Sequence, residues 1–215
     1  MEKGKEPIIK IILIGESSVG KTSLIQAYLG RQFMDYTSNT INSEFFNKTI
    51  KINNTTFNIH LWDTAGQERF RSLNKIFIKG SQIVIVVYDI TKKKTFDEVP
   101  FWVDYVKSLL GDHIVLGLIG NKLDLFDKIE NKDFGNNNDD EFIDNETGKK
   151  YADEIGAIFG ETSAKLNAKG FQKYVNDLIN VFFDKRRVTE VEWEVLSIDN
   201  LKKKEKHKSF CHKNK

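Results

Sequence analysis

Cysteine is almost absent from this chain of 215 residues, in which Cys211 is the only one. A single thiol excludes an internal disulfide framework and is compatible with a reducing compartment. Long apolar runs are also absent, because Ile83–Tyr88 and Ile114–Ile119 have the length of strands and are too short to span a membrane. Met1–Lys10 contains no apolar region typical of a secretory signal. The sequence therefore predicts a soluble, cytosolic protein.

The net charge is small as well, at +2, which argues against a nucleic-acid partner across the whole surface. The charge is unevenly distributed, however, because Leu201–Lys215 carries seven lysines and a single acid, Glu205. Such a segment either attracts anionic lipid or is an ordinary solvated tail. On its own it is weak support for nucleic-acid binding, so we expect no nucleic-acid partner.

Short β-branched runs alternate with longer helical patterns along most of the chain. The predicted strands are Ile8–Ile14, Thr55–Trp62, Gln82–Tyr88, Ile114–Ile119 and Ala157–Phe159. The predicted helices are Thr22–Leu29, Phe101–Leu110 and Phe171–Phe183. This alternation predicts an α/β fold with a mainly parallel sheet and helices on both faces.

Two segments depart from the alternation. Asp127–Thr147 is rich in Asn, Asp and Glu and is interpreted as a surface insertion. Beyond Arg187 the pattern of strands and helices stops. We therefore predict one domain over residues 1–187, with an insertion at 127–147, followed by a flexible basic tail over 188–215.

The segment Gly15–Thr22 has the spacing of a P-loop and lies between a predicted strand and a predicted helix. Its glycines allow backbone N–H groups to surround phosphate oxygens, to which the helix N-terminus adds positive potential. Lys21 would place its charge on the β- and γ-phosphates, and the Thr22 hydroxyl is a hard ligand for Mg²⁺. The alternative is a glycine-bearing turn, against which the flanking strand and helix argue. The candidate phosphate-binding residues here are Gly15, Ser17, Ser18, Val19, Gly20, Lys21, Thr22 and Ser23.

A second motif, Asp63–Gln67, directly follows the strand that ends at Trp62. Asp63 would hold magnesium, the Gly66 N–H would approach a γ-phosphate, and Gln67 would orient an attacking water. The alternative is a solvated turn that needs only the glycine. The presence of a P-loop favours the phosphate site.

Two further motifs, Asn121–Asp124 and Glu161–Lys165, follow strand ends and are predicted to bind the base, with Asn121, Lys122, Asp124, Ser163, Ala164 and Lys165 as the candidate residues. The Asp124 carboxylate can accept hydrogen bonds from the N1–H and amino group of guanine, whereas adenine offers no such pair of donors. The stem of Lys122, next to Asn121, can cover one face of the ring. Backbone N–H groups of Ser163, Ala164 and Lys165 would meet the guanine O6. Both motifs are therefore expected at the carboxyl edge of the sheet, where such folds bind ligands. A P-loop ATPase or kinase is the competing enzyme class, and the 121–124 motif argues against it.

Between about Ile8 and Phe183 these motifs together resemble the Ras-like small GTPases. Leu61–Phe70 and Val87–Thr91 are similar to the Rab branch in particular. The resemblance implies a three-layer P-loop fold whose mostly parallel sheet has one antiparallel edge strand. It also implies binding of GDP and GTP with Mg²⁺, slow GTP hydrolysis, and switching of effector binding in vesicle trafficking.

The resemblance implies further residue roles. Thr40 would join Thr22 and Asp63 around magnesium and contact the γ-phosphate, and Phe33 would lie against the guanine. Gln67 would be the catalytic residue. Its presence, with Thr40, argues against the alternative of a scaffold that binds guanine nucleotide without hydrolysing it. The expected effector contacts are Ile41, Phe45, Trp62 and Phe77; for the last two, ordinary core packing is the alternative. Asn42 stands where the family usually has glycine.

The expected partners are an exchange factor, a GTPase-activating protein and effectors. Arg69 and Arg71 are interpreted as surface charges, so an activating partner would supply a catalytic arginine. Cys211 lies fifth from the end of the sequence, one position away from the four-residue prenylation motif. A lipid on Cys211 together with the basic tail would supply two membrane signals; the alternative is an unmodified thiol. We expect a cytoplasmic protein, peripheral on the cytosolic face of endomembranes.

Overall fold

A computed structural model describes residues 7–34, 40, 44–52, 55–64, 71–126 and 142–186 of the chain. The fold divides into two compact units, Met1–Leu178 and Ile179–Lys215. In the second unit, residues 179–186 are helical. The predicted tail, 188–215, and most of the predicted insertion, 127–141, lie outside the described residues. Among the described residues, no helix is long and apolar enough to cross a membrane.

The first unit is built around a six-stranded sheet. Its strands are β1 (Ile8–Ile14), β2 (Glu44–Ile52), β3 (Thr55–Asp63), β4 (Ile83–Asp89), β5 (Val115–Asn121) and β6 (Ile158–Glu161). Their order across the sheet is β2-β3-β1-β4-β5-β6. Only β2 runs antiparallel to its neighbour, with Phe45 opposite Trp62. The predicted fold class, a mostly parallel sheet with one antiparallel edge strand, is confirmed.

Helices follow the strands along the chain. They are α1 (Lys21–Tyr28), α2 (Arg71–Ile78), α3 (Lys93–Asp97), α4 (Val99–Leu110), α5 (Asn145–Ile155) and α6, which occupies residues 168–178 of the first unit. A short 3-10 turn, Leu123–Leu125, follows β5. Every residue of β4 and β5 is buried, as expected for strands covered by helices on both faces.

The two faces of the sheet are covered by different helices. On one face Val84 and Val86 of β4 share an apolar cluster with Trp102 of α4. On the other face α6 lies so close to the sheet that a side chain at Gly117 or Gly160 would collide with Tyr174. The Tyr174 hydroxyl donates to the Ile158 carbonyl at 2.8 Å. Glycine in β5 and β6 therefore permits the close approach of a helix that carries a large aromatic residue.

Several elements depart from the sequence prediction. α2 and α3 had no predicted counterpart, and β2 was expected only as the antiparallel edge strand that the family resemblance implies, without predicted bounds. α5 begins inside the predicted insertion, because Asp144 caps it by accepting a hydrogen bond from Thr147 N at 2.7 Å. The rings of Phe126 and Phe142, which the sequence presents as isolated apolar residues, lie 4.9 Å apart. The described flanks of the insertion thus contact each other and join directly to the packed fold.

Candidate functional site

The loop between β1 and α1 is wrapped against the ends of the central strands. Gly15 has a φ of 137° and Gly20 a φ of 95°, angles that L side chains rarely adopt. A Cβ at Gly15 would overlap the Val87 carbonyl oxygen, and one at Gly20 would overlap the Asn121 amide. Ser18 also has a positive φ, of 62°. Gly15 and Gly20 of the predicted P-loop are therefore required, both because of their backbone angles and because there is no space for a side chain.

Lys21, the first residue of α1, folds its side chain back over this loop. Its ammonium donates to the carbonyls of Gly15 at 2.9 Å and Glu16 at 2.7 Å. Burial lowers the pKa of Lys21 to about 8, although the charges of Asp63 and Glu16 act in the opposite direction. A buried cation held at the centre of the loop is poised to meet phosphate oxygens. Ser17 lies in the same loop, and Ser23 lies in the first turn of α1.

The three predicted metal ligands come together beside the loop. The Thr22 hydroxyl donates to Asp63 Oδ2 at 2.6 Å, and the hydroxyl oxygens of Thr22 and Thr40 are 2.9 Å apart. Asp63 is fully buried, and its Oδ1 accepts no hydrogen bond among the described residues. Burial raises the pKa of this carboxyl. An unsatisfied carboxylate oxygen beside two hydroxyls fits the hard oxygen ligands that Mg²⁺ prefers.

Asn121, at the end of β5, connects the phosphate loop to the predicted base-binding segment. Its Nδ2 donates to the Val19 carbonyl at 2.9 Å, and its Oδ1 accepts from the Ala164 N–H at 3.1 Å. The side chain is buried, so losing either bond would leave a polar group without water or a partner. Two segments far apart in sequence are therefore held together as one site.

The predicted base-binding residues gather beyond Asn121. The Ser163 hydroxyl donates to Asp124 Oδ1 at 2.5 Å. Ser163 Oγ also accepts hydrogen bonds from the N–H groups of Lys165 at 3.2 Å and Leu166 at 3.0 Å. A hydroxyl with this set of partners orients the Asp124 carboxylate. The N–H groups of Ala164 and Lys165 already have partners here, so their contact with a guanine O6 stays a prediction.

Phe33 lies at the edge of this cluster. The Lys165 ammonium is 5.4 Å from the centroid of the Phe33 ring, within range of a cation–π interaction. A residue predicted to contact the base and a residue of the 163–165 segment thus lie side by side. Four predicted residues fall outside the described part of the chain: Ile41, Gly66, Gln67 and Cys211.

The three aromatic residues predicted to contact effectors form a continuous group. The rings of Phe45 and Trp62 lie 5.2 Å apart, and those of Trp62 and Phe77 lie 5.3 Å apart. Phe45 is 47% exposed, whereas Trp62 and Phe77 are partly buried and pack against the apolar cluster below. Ile76, next to Phe77, is 71% exposed. The group therefore combines an exposed rim with residues anchored in the core.

Two residues of the site were not singled out from the sequence. Thr64 is buried, and its hydroxyl donates to the Leu13 carbonyl at 2.7 Å, which fixes the chain directly after Asp63. Asp89, at the end of β4, pairs with Lys122 at 2.6 Å. The stretch Val87–Thr91 was noted only for its resemblance to a family. A polar residue at the end of a buried strand is the signal that would have marked Asp89.

Comparison with known proteins agrees with this geometry. The family model described as the Ras family matches residues 10–182. The chain is 40% identical over 158 residues to the Ras-related protein RabJ of Dictyostelium discoideum. The aligned region covers 74% of this chain and 57% of that relative, so the chain spans less than two thirds of the relative's length.

Proposed function

The chain belongs to the Ras family and is a Rab-like small GTPase, and from this premise we propose a specific activity. It binds GDP and GTP together with Mg²⁺, slowly hydrolyses GTP, and binds effectors in the GTP state to regulate intracellular vesicle trafficking. The bridge made by Asn121 between Val19 and Ala164 carries this proposal, because it makes the phosphate loop and the base-binding residues parts of one pocket.

Binding in this proposal divides between the two ends of the pocket. The loop N–H groups and the Lys21 ammonium would neutralise the phosphates. The Asp124 carboxylate, oriented by Ser163, would accept from the N1–H and amino group of guanine. The Lys122 stem would cover one face of the guanine ring, and Phe33 would also lie against the guanine. Because an adenine ring lacks this pair of donors, selectivity for guanine would depend on Asp124.

Thr22, Thr40 and Asp63 would hold the magnesium ion. Asp63 Oδ1, buried and without a hydrogen bond among the described residues, supports this role. When bound, Mg²⁺ would neutralise charge on the β- and γ-phosphates. Thr40 and Gly66 would each link a loop of the protein to the γ-phosphate, so that hydrolysis releases both loops.

Hydrolysis would rely on Gln67 to orient the attacking water, as the family resemblance implies. Positioning and charge neutralisation do most of the work in phosphoryl transfer. In the Ras-like enzymes that need an activator, a partner's arginine raises the rate by roughly 10³–10⁵. The intrinsic rate of this chain is therefore expected to be slow.

Single-turnover hydrolysis of bound GTP tests the proposed activity. The wild-type chain should convert GTP to GDP slowly, and Gln67→Leu should retain GTP but convert it more slowly still. A scaffold that binds without hydrolysing is the alternative, and it predicts no conversion by either chain. Equal rates for the two chains would remove Gln67 from its proposed role.

Partners and location form the remaining part of the proposal. An exchange factor, an activating protein and effectors would act on the nucleotide state, with effectors contacting Ile41 and the aromatic group Phe45, Trp62 and Phe77. A lipid on Cys211 with the basic tail would hold the chain on the cytosolic face of endomembranes. Mass spectrometry of the protein from its native cell tests this attachment, and an unmodified Cys211 throughout would contradict it.

A further inference from the structure

Lys122 has an unusual backbone conformation in the middle of the base-binding cluster. Its φ is 71°, in the left-handed region that few residues other than glycine adopt. Such a conformation persists only where the surrounding structure holds it. Its neighbours Asn121 and Asp124 both carry site hydrogen bonds. The left-handed backbone of Lys122, held between these two residues, therefore sets the direction in which its side chain leaves the cluster.

The Lys122 side chain ends on Asp89. Its Nζ lies 2.6 Å from Asp89 Oδ2, and the exposed fractions of the two side chains are 29% and 1%. The stem of Lys122 is thus open to a ligand on part of its surface, while its charged end is paired with a buried carboxylate. A partly buried charge pair of this kind is screened much less than an exposed pair, so its electrostatic attraction is stronger.

Asp89 is itself held from several sides. Its Oδ1 accepts from the Thr91 N–H at 3.0 Å and from the Thr91 hydroxyl at 2.7 Å. Its own N–H donates to Thr95 Oγ1 at 2.9 Å. In the sheet Asp89 pairs with Asn121, the residue that bridges the phosphate loop and Ala164. The carboxylate therefore presents Oδ2 to Lys122 from a fixed position.

We propose that Asp89 is a positioning residue for the guanine pocket, which it serves by fixing the Lys122 stem as one wall of that pocket. This inference rests on the proposed function, in which Lys122 covers one face of the base. Without the carboxylate, the ammonium would turn to solvent and the stem would sample many rotamers. The bound base would then lose a preorganised wall, and nucleotide would dissociate faster.

Dissociation of fluorescently labelled GDP from the full chain, in Mg²⁺, tests this proposal. Asp89→Asn keeps an oxygen for the Thr91 donors but removes the charge that holds Lys122, so dissociation should accelerate roughly tenfold. Asp97→Asn is the matched control. It makes the same chemical change in the Lys93–Asp97 pair, which is 40% and 55% exposed, and it should leave the rate unchanged.

A double-variant cycle separates positioning from general structural support. Lys122→Met retains a long apolar stem and loses the charge. If Asp89 acts through Lys122, adding Asp89→Asn to Lys122→Met should cause no further acceleration. Multiplied effects in the double variant, or an unchanged rate in Asp89→Asn, would overturn the proposal.

Two further outcomes have distinct meanings. If Asp89→Asn does not fold, Thr91→Val replaces it, because loss of one donor loosens the carboxylate while both charges remain. A smaller acceleration is then expected, and a wild-type rate would overturn the inference about Asp89. If the wild-type chain itself retains no labelled GDP, the proposed function fails, whatever the variants do.

Discussion

At the scale of single residues, the site depends on polar groups whose burial is costly without a ligand. Lys21 is buried and its pKa is lowered to about 8. Asp63 is buried with its pKa raised and with one oxygen that accepts no hydrogen bond among the described residues. A cation and an anion that are both disfavoured by burial would each gain from binding phosphate or metal.

For Lys21, we expect GDP affinity to fall as the pH rises above about 8, since bound phosphate favours the charged lysine. Competition titrations at increasing pH measure this dependence. Lys21→Met has no titrating group at this position, so its pH dependence serves as the control for deprotonation of the guanine ring itself. The same pH dependence in both chains would contradict the assignment of Lys21 to the phosphates.

The lowered pKa of Lys21 also predicts the stability of the nucleotide-free chain. Between about pH 8 and 10.5 an unfolded lysine keeps its proton while folded Lys21 has lost it. The unfolded state then binds more protons, so the contribution of Lys21 to the free energy of unfolding should rise with pH across this window. Below it, the full cost of burying the charge remains. Urea denaturation of wild type and Lys21→Met measures this difference.

For Asp63, Asn substitution should separate metal binding from folding. Asn keeps the volume and an acceptor for Thr22 but removes the buried charge, so the nucleotide-free chain should be at least as stable as wild type. GDP dissociation in Mg²⁺ should accelerate to the rate that wild type shows in a chelator. Retention of a clear Mg²⁺ effect on the dissociation rate in Asp63→Asn would contradict the proposed metal site.

At the scale of elements, the site is assembled from the carboxyl ends of strands. Gly15, Asp63, Asp89 and Asn121 lie at the ends of β1, β3, β4 and β5. In a parallel sheet these ends share one edge, so the order of strands and motifs in the sequence was sufficient to predict that Gly15, Asp63 and Asn121 would meet, whereas Asp89 was not predicted. The hydrogen bonds of Asn121 link these elements, because they connect the loop between β1 and α1 and the segment after β6 to the end of β5.

Asn121→Ala should therefore destabilise the fold as well as the site. It leaves the Val19 carbonyl and the Ala164 N–H without their partner, at a cost of about 2–4 kcal/mol in the free energy of unfolding. Asn58→Ala is the control, since among the described residues it removes an exposed bond from Thr49 and should cost less than about 1 kcal/mol. Urea denaturation measures both values, and equal losses would contradict the bridging role.

Other elements could not be predicted because their signals are weak or non-local. β2 mixes charged, polar and aromatic residues, and it is specified by pairing along its length with β3. The start of α5 depends on a cap at Asp144, within a segment whose composition indicated an insertion. The contact between Asp89 and Lys122 joins the ends of two neighbouring strands, β4 and β5. The spacing along the sequence carries no information on that contact.

At the scale of the whole molecule, the domain combines a packed sheet with a binding edge. Fold class and family were predictable, because buried strands and ordered motifs are strong sequence signals. The solvent exposure of individual aromatic side chains was harder to predict from the sequence. Phe45 is 47% exposed, whereas Trp62 and Phe77 are partly buried and pack against the core cluster, as the alternative of core packing expected for those two residues. Whether effectors contact it stays a prediction.

A switch predicts that partners distinguish the nucleotide states of the full chain. GTP-loaded Gln67→Leu should retain partners that the GDP-loaded wild type does not, because in the proposed switch the γ-phosphate is what links Thr40 and Gly66 to the nucleotide. Phe45→Ala in the GTP-loaded chain should weaken that retention, whereas Phe101→Ala, on α4, serves as a control for loss of another exposed aromatic residue. Affinity capture with quantitative mass spectrometry measures these differences. Identical partners in both nucleotide states would contradict switching.

The proposed selectivity for guanine separates this chain from P-loop ATPases and kinases, and competition for labelled GDP bound to the full chain measures it. GDP and GTP should displace the label, whereas ADP, ATP and xanthosine diphosphate should not. In Asp124→Asn the preference should shift from GDP to xanthosine diphosphate, because an amide can donate to the carbonyl that replaces the guanine amino group. Displacement of the label by ADP as readily as by GDP, or unchanged GDP affinity in Asp124→Asn, would contradict the account.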